Sequence, residues 1–343
     1  MTRPTSPTRR RLGAVALTLL AAAVPLVAAA PAAHADTAGT GTAAALKPVT
    51  RLAGGDRIGT AIAISQATFP TAGSAKAVIL TAAYNFPDAL AGAPLAAAKD
   101  GPVLLTTPGE LSPATLTEIE RVAPTGSTVY VLGGDAAIAA TIDASLTAAG
   151  YVPQRIAGAN RFETSVKIAE ALGSPTTVLL ATGDIFADAL SAGPAAASVH
   201  GAVLLTDGPV MPPSVATYLS GLASPTVYDV GAGAGKAYPA GTLLSGGDRW
   251  ATSALVAEKF FTSPTLVGVA TGWNFPDALA GAGAMGIMGG PVLLSDPVLL
   301  PSADALYLTN NASTITQAFL FGGPLSLSPA IATTVSNQIN GIA

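Results

Sequence analysis

The 343-residue chain has no cysteine, two histidines and few charges, with 10 % of its residues Asp, Glu, Lys or Arg and 5 % aromatic. The missing thiols rule out disulfides, Cys-ligated metals and thiol catalysis, so an exported protein of this composition must be held by its hydrophobic cores. The two imidazoles are His34, in a segment expected to be removed, and His200, which precedes Gly201 and reads as a helix C-terminal residue. One remaining His cannot build a multi-histidine zinc site. Nothing calls for a metal or a cofactor.

Positive charge is also scarce once the N-terminus is set aside. Arg3, Arg9, Arg10 and Arg11 precede an apolar run over residues 12–30 and an A-x-A site, Ala33-His34-Ala35, the layout of a cleaved secretory leader. Cleavage is expected to leave a mature chain starting near Asp36, with no membrane anchor. The Arg9-Arg10 pair fits a twin-arginine route or a basic leader of the general kind. The mature chain then carries twelve basic and twenty acidic residues, a net charge of −8. Nucleic acid is excluded as a partner, because neutralising phosphates needs clustered Lys and Arg.

What the chain does have is repetition. Residues 85–92, NFPDALAG, return as IFADALSA over 185–192 and as NFPDALAG over 274–281. Each copy follows a buried-type apolar run (AVILT, TVLLAT, VGVAT) and precedes another (PVLLT, AVLLT, PVLLS). Upstream of each stands a glycine turn, a capping residue and an arginine: Gly54-Gly55-Asp56-Arg57, Gly158-Ala159-Asn160-Arg161 and Gly246-Gly247-Asp248-Arg249. Thr60, Thr164 and Thr252 follow three positions after each arginine. Alternation of strand and helix predicts open parallel sheets covered on both faces. The organisation expected is a leader over 1–35, a spacer over 36–48, and three units over 49–154, 155–242 and 243–343. Each unit is expected to open with a short strand, such as Thr50-Arg51-Leu52-Ala53, and Asp135 to Ala149 reads as a fourth helix. In the second unit residues 231–236 read as a degenerate turn replacing that helix.

Arg57, Arg161 and Arg249 each fall in the first turn of a helix, where a cation opposes the helix dipole. Two explanations stand side by side: ion pairs with aspartates, or a fork-shaped clamp for an anion or sugar. Asp88, Asp188 and Asp277 lie just after a buried strand, where open parallel sheets place ligand sites, yet a carboxylate in the first helical turn also stabilises the helix. Thr106, Thr206 and Ser295 end core strands and could line the same crevice.

The threefold recurrence of G-G-D-R, F-[AP]-D-A-L and V-L-L-T resembles the cell wall binding repeat type 2 family of Gram-positive surface proteins. The resemblance covers residues 50–343. It implies an α/β fold of three Rossmann-like or Toprim-like domains, each a small mostly parallel sheet flanked by helices, packed about a pseudo-threefold axis in one monomeric chain. It further implies a protein located at the cell wall or surface and attached non-covalently to an anionic wall polymer. The family's arginine falls on Arg57, Arg161 and Arg249, and its acidic loop on Asp88, Asp188 and Asp277. The second unit departs at Gly158-Ala159-Asn160 and after Val230, and Leu243 stands where the other units have Arg51 and Arg155. The sequence reading is therefore an exported, non-enzymatic wall-binding protein. Its rivals are a wall-glycan hydrolase drawing a catalytic pair from the three aspartates, and a regulatory partner of a cell wall hydrolase.

Overall fold

The computed structural model describes residues 45–342; the expected leader and most of the expected spacer lie outside the described residues. The first repeat runs β1 (Val49–Leu52), α1 (Arg57–Thr68), β2 (Ala77–Ala82), a single 3₁₀ turn at Pro87–Ala89, α2 (Gly92–Lys99), β3 (Val103–Thr106), α3 (Pro113–Val122), β4 (Thr128–Leu132) and α4 (Ala140–Ala148). The second runs β5 (Val152–Ile156), α5 (Arg161–Leu172), β6 (Thr177–Thr182), α6 (Ala187–Ser198), β7 (Ala202–Thr206), α7 (Pro213–Gly221), β8 (Thr226–Val230) and α8 (Ala232–Ala237). The third runs β9 (Thr242–Leu244), α9 (Arg249–Phe260), β10 (Leu266–Thr271), α10 (Pro276–Met288), β11 (Val292–Ser295), α11 (Ser302–Asn310), β12 (Gln317–Phe321) and α12 (Pro329–Asn340).

These strands form three four-stranded parallel sheets of equivalent order: β3-β2-β4-β5, β7-β6-β8-β9 and β11-β10-β12-β1. The edge strands settle a pairing that the sequence left open. The strand that opens each unit joins the sheet of the unit before it, and β1 closes the ring by pairing with β12, Val49 opposite Ala318 and Leu52 opposite Phe321. Order begins before Val49, since Lys47 donates its backbone N–H to Asn340 (2.8 Å) and its ammonium to the Ile339 carbonyl (2.9 Å). Each repeat is thus tied to its neighbour by backbone hydrogen bonds as well as by packing.

The central strands are buried on both faces, and their side chains alternate between two cores. In β2, Val78 and Leu80 face a core private to the first repeat, while Ile79 faces a core shared by all three. In β6, Val178 and Leu180 are private and Leu179 and Ala181 shared; in β10, Val267 and Val269 are private and Ala270 shared. This is why these runs read as continuously apolar. By contrast β5, at a sheet edge, alternates exposed and covered residues.

The shared core is where the repeated motif acts. Helices α2, α6 and α10 pack on one another about the pseudo-threefold axis. Their approach needs small residues at one equivalent position, Ala93, Gly193 and Ala282; a Cβ added at Gly193 would lie 2.8 Å from that of Ala93 and 3.7 Å from that of Ala282. At the same axis Phe86, Phe186 and Phe275 meet, with ring centroids 5.4–6.1 Å apart in edge and tilted contacts, the geometries that aromatic quadrupoles favour.

Two further details differ from the sequence reading. The fourth helix of the first repeat spans only Ala140–Ala148, because residues 134–139 form a turn. In the second repeat residues 231–236 are no degenerate turn, since α8 is a helix of six residues. That helix explains the missing arginine. Arg155 on β5 donates to the Gly133 and Ile138 carbonyls (2.7 and 2.8 Å) and pairs with Asp143, and Arg51 on β1 donates to the Gly322 carbonyl (2.8 Å). Each guanidinium satisfies carbonyls of an irregular turn. Where α8 replaces that turn, the Leu243 side chain instead packs against Gly235, whose added Cβ it would meet at 2.5 Å.

Candidate functional site

The three arginines begin helices with side-chain caps. Asp56 accepts from the Gly59 N–H, Asn160 from Glu163 and Asp248 from Ala251, satisfying a backbone donor that has no helical partner. The recurring threonines have a structural role: Thr60, Thr164 and Thr252 accept from the Gly54, Gly158 and Gly246 N–H groups and lash the glycine turn to the helix. Those glycines lie so close to the first helical turn that a Cβ on any of them would fall within 2.6 Å of it.

Each arginine makes one hydrogen bond to protein, from Nη1 to a carbonyl just past the next strand: Ala83 (2.8 Å), Gly183 (2.5 Å) and Gly272 (2.5 Å). That bond fixes the guanidinium and leaves the other N–H groups of its fork available. Among the described residues no ion pair within 4.0 Å joins Arg57, Arg161 or Arg249 to Asp88, Asp188 or Asp277.

The structure nevertheless brings these six residues together, across repeat boundaries. A cleft of about 320 Å³ holds Arg57 and the Gly54-Gly55-Asp56 turn together with Asn274 and Asp277 of the third repeat. A second, of about 280 Å³, holds Arg161 and its turn with Asn85 and Asp88 of the first. Around the ring Arg249 faces the second repeat: its guanidinium lies 5.8 Å from the Phe186 ring, and its charge acts on Asp188. Every arginine therefore meets the aspartate of the preceding repeat, the same pairing of neighbours that the exchanged edge strands impose.

The aspartates have a structural share in this arrangement. Gly133, Gly231 and Gly322 end the third strand of each sheet at φ of +120°, +86° and +108°, and a Cβ on them would lie 2.0–3.0 Å from a carboxylate oxygen of Asp88, Asp188 or Asp277. Glycine is needed there for both backbone and space. Asp277 also accepts from the Ser326 hydroxyl at 2.8 Å. Asp188 is buried, which pushes its carboxyl up to about 6 against the opposing effect of Arg249.

Thr106, Thr206 and Ser295 are fully buried and donate to loop carbonyls of Glu110, Gly208 and Asp296. They close the loops after their strands and are not brought to the clefts. The sequence reading missed the residue before each Asn or Ile of the motif: Tyr84 and Trp273, beside Arg57 and Arg249 respectively, and Asp184 in the second repeat. The variability of this position across the copies hid it. Among the described residues no cluster of three or more His, Asp or Glu side chains could hold a metal ion.

The family model for "Cell wall binding domain 2" matches residues 51–143, 155–234 and 244–332. The chain belongs to this family. Among curated relatives of this cell wall binding domain 2 chain, it is 28 % identical over 312 residues to the N-acetylmuramoyl-L-alanine amidase LytC of Bacillus subtilis, covering 87 % of this chain and 59 % of the amidase. It is 27 % identical over 292 residues to the Amidase enhancer of Bacillus subtilis, covering 84 % of this chain and 40 % of that protein. Solved structures of Cwp8 and Cwp6 from Clostridium difficile superpose with a TM-score of 0.77 each, at 26 and 22 % identity, over 86 and 87 % of this chain and 52 and 50 % of theirs. The chain thus spans about half the length of the proteins it matches. The family places it in association with the cell wall.

Proposed function

We propose that the chain is an exported, non-enzymatic protein of the cell surface that holds an anionic wall polymer in the clefts between its repeats. The observation that carries this reading is the recurrence of one arrangement three times around a ring: a guanidinium fixed by a single carbonyl, at a helix N-terminus whose backbone N–H groups already favour anions, facing a neighbour's acidic loop. A mature chain at −8 has no general attraction for a polyanion, so placed cations must supply it. Three modest sites on one long polymer reinforce each other through effective concentration.

The separation of the aspartates speaks against the glycan-hydrolase reading. Each lies at a different repeat boundary and faces an arginine, whereas a glycosidase needs two carboxylates on one bond. The relatives' names, an amidase and an amidase enhancer, keep a partnership with a wall hydrolase as the second reading. Both relatives match this chain over its repeats, which supports a shared wall-holding part.

The test is co-sedimentation of the purified chain with isolated walls, before and after their anionic polymers are stripped, alongside the Arg57→Gln/Arg161→Gln/Arg249→Gln variant. The stripped wall and the triple variant should each lose nearly all binding while thermal unfolding of the variant stays cooperative. Undiminished binding by a folded triple variant would overturn the role of the clefts. Release of reducing sugar or free amines from the walls would overturn the non-enzymatic reading.

A further inference from the structure

The three repeat boundaries are alike in their arginine and unlike in the residue that takes the place of Tyr84. Tyr84 and Trp273 occupy the same position in the first and third repeats, and both are largely exposed, at 58 and 61 %. Neither is loose. The Tyr84 ring lies 4.6 Å from the Arg57 guanidinium, which also approaches Phe275 of the axial cluster at 5.9 Å. Trp273 donates its indole N–H to Asp296 (2.9 Å), meets the edge of Trp250 at 5.7 Å, and has the Arg249 guanidinium 5.3 Å from its ring. The second repeat puts Asp184 at this position.

An aromatic ring left in solvent yet held in place, Trp273 by a hydrogen bond, a cation and a second ring and Tyr84 by a cation, is partly organised in advance of a ligand, because some of its rotamer freedom is already spent. An apolar face beside a guanidinium matches a ligand that joins an apolar face to a negative charge. A pyranose ring has such a face in its axial C–H groups, and an acidic substituent or a bridging phosphate supplies the charge. A polymer without rings would use the arginine and leave the aromatic face wet.

Resting on the wall-binding reading above, we propose that Tyr84 and Trp273 are stacking platforms for sugar rings. The exposed surfaces where these rings lie beside Arg57 and Arg249 then take negatively charged sugar units of the polymer. The second repeat, with Asp184 in place of the ring, has no platform and holds the polymer by Arg161 alone. The polymer is accordingly an acidic polysaccharide and not a ring-free polyphosphate, and the protein grips it at two strong points out of three.

The chain has only two tryptophans, Trp250 and Trp273, so a Trp250→Phe background makes Trp273 the sole reporter. It would be titrated with the acidic polysaccharide released from the host's walls and, at matched charge, with inorganic polyphosphate. The polysaccharide should shift and quench the Trp273 emission, and polyphosphate should leave it unchanged. Tyr84→Ala and Trp273→Ala should each weaken polysaccharide binding about tenfold, as expected for loss of one aromatic contact, whereas Tyr84→Phe and Trp273→Phe should keep most of it. Asp184→Tyr should tighten it. If walls and polysaccharide bind but the alanine variants bind equally well and Trp273 emission does not respond, the platforms are refuted and the wall-binding reading stands. Equal response to polyphosphate refutes the sugar assignment. If the folded chain binds neither walls nor polysaccharide, both readings fail.

Discussion

The contact that unites the three repeats can be tested at Gly193, where α6 crosses α2 and α10. Replacing it with alanine gains about 0.5–1 kcal/mol of helix propensity and sets a methyl 2.8 Å from the Ala93 Cβ. That separation is about 1 Å short of carbon–carbon contact, and overpacking of this kind costs about 1–3 kcal/mol. Gly193→Ala should therefore be destabilised by about 1 kcal/mol. Gly193→Leu places four carbons between helices that are themselves buried and cannot retreat, so it should lose at least about 3 kcal/mol. At about 2–4 °C per kcal/mol for a chain of this size, calorimetry of the purified protein should show a drop in Tm of a few degrees for alanine and about 10 °C for leucine. The shift should affect one cooperative transition, because the axis joins all three repeats. The decisive measurement is compensation: Ala93→Gly restores the missing space, so Ala93→Gly/Gly193→Ala should recover most of the loss beyond the propensity cost of the new glycine. A Gly193→Leu protein as stable as the parent, or a double variant whose losses simply add, would refute direct packing at the axis.

Other expectations follow from the same structure. Asp188 titrates near 6 in the fold and near 3.8 unfolded, so the folded state holds a proton that the unfolded chain has lost; this stabilisation is full below about pH 4 and disappears as pH rises through 6, a swing of about 3 kcal/mol. Urea unfolding between pH 4 and 8 should show it, and Asp188→Asn should flatten that part of the profile. Protonation also removes the negative charge facing Arg249, so wall binding should strengthen as pH falls through about 6, and Asp188→Asn should bind at pH 7 as the parent does at pH 5. Asp304 is fully buried, with neither oxygen hydrogen-bonded, and burial holds its carboxyl well above the usual range. The nearby Ser253 hydroxyl donates its proton to the Trp250 carbonyl. Val215 is the third residue of α7 as Asp304 is of α11, so Asp304→Val should stabilise the protein by about 1–3 kcal/mol at high pH, measured by chemical denaturation. Finally, deleting residues 45–52 removes β1 from the third repeat's sheet; limited proteolysis should then open β12 and α12, at the far end of the chain, before the rest of the first repeat.

The sequence by itself determined the triplication, the parallel α/β sheets and the family, because these depend on local signals that each copy repeats. Doubly buried strands read as unbroken apolar runs, and capping residues before Arg57, Arg161 and Arg249 mark the helix starts found in the structure. The short helix α8 escaped that reading because its glycines argue for a turn. Only the tertiary structure decided which repeat owns each strand and which residues share a cleft. A strand's pattern fixes that it pairs but not with what, so nothing local tells β1 to seek β12 some 270 residues away. The same exchange carries each arginine to the aspartate of the preceding repeat, a juxtaposition that depends on ring closure. Tyr84 and Trp273 were passed over for a related reason: a lone exposed aromatic has no period, and its value becomes visible only when the fold sets a guanidinium beside it.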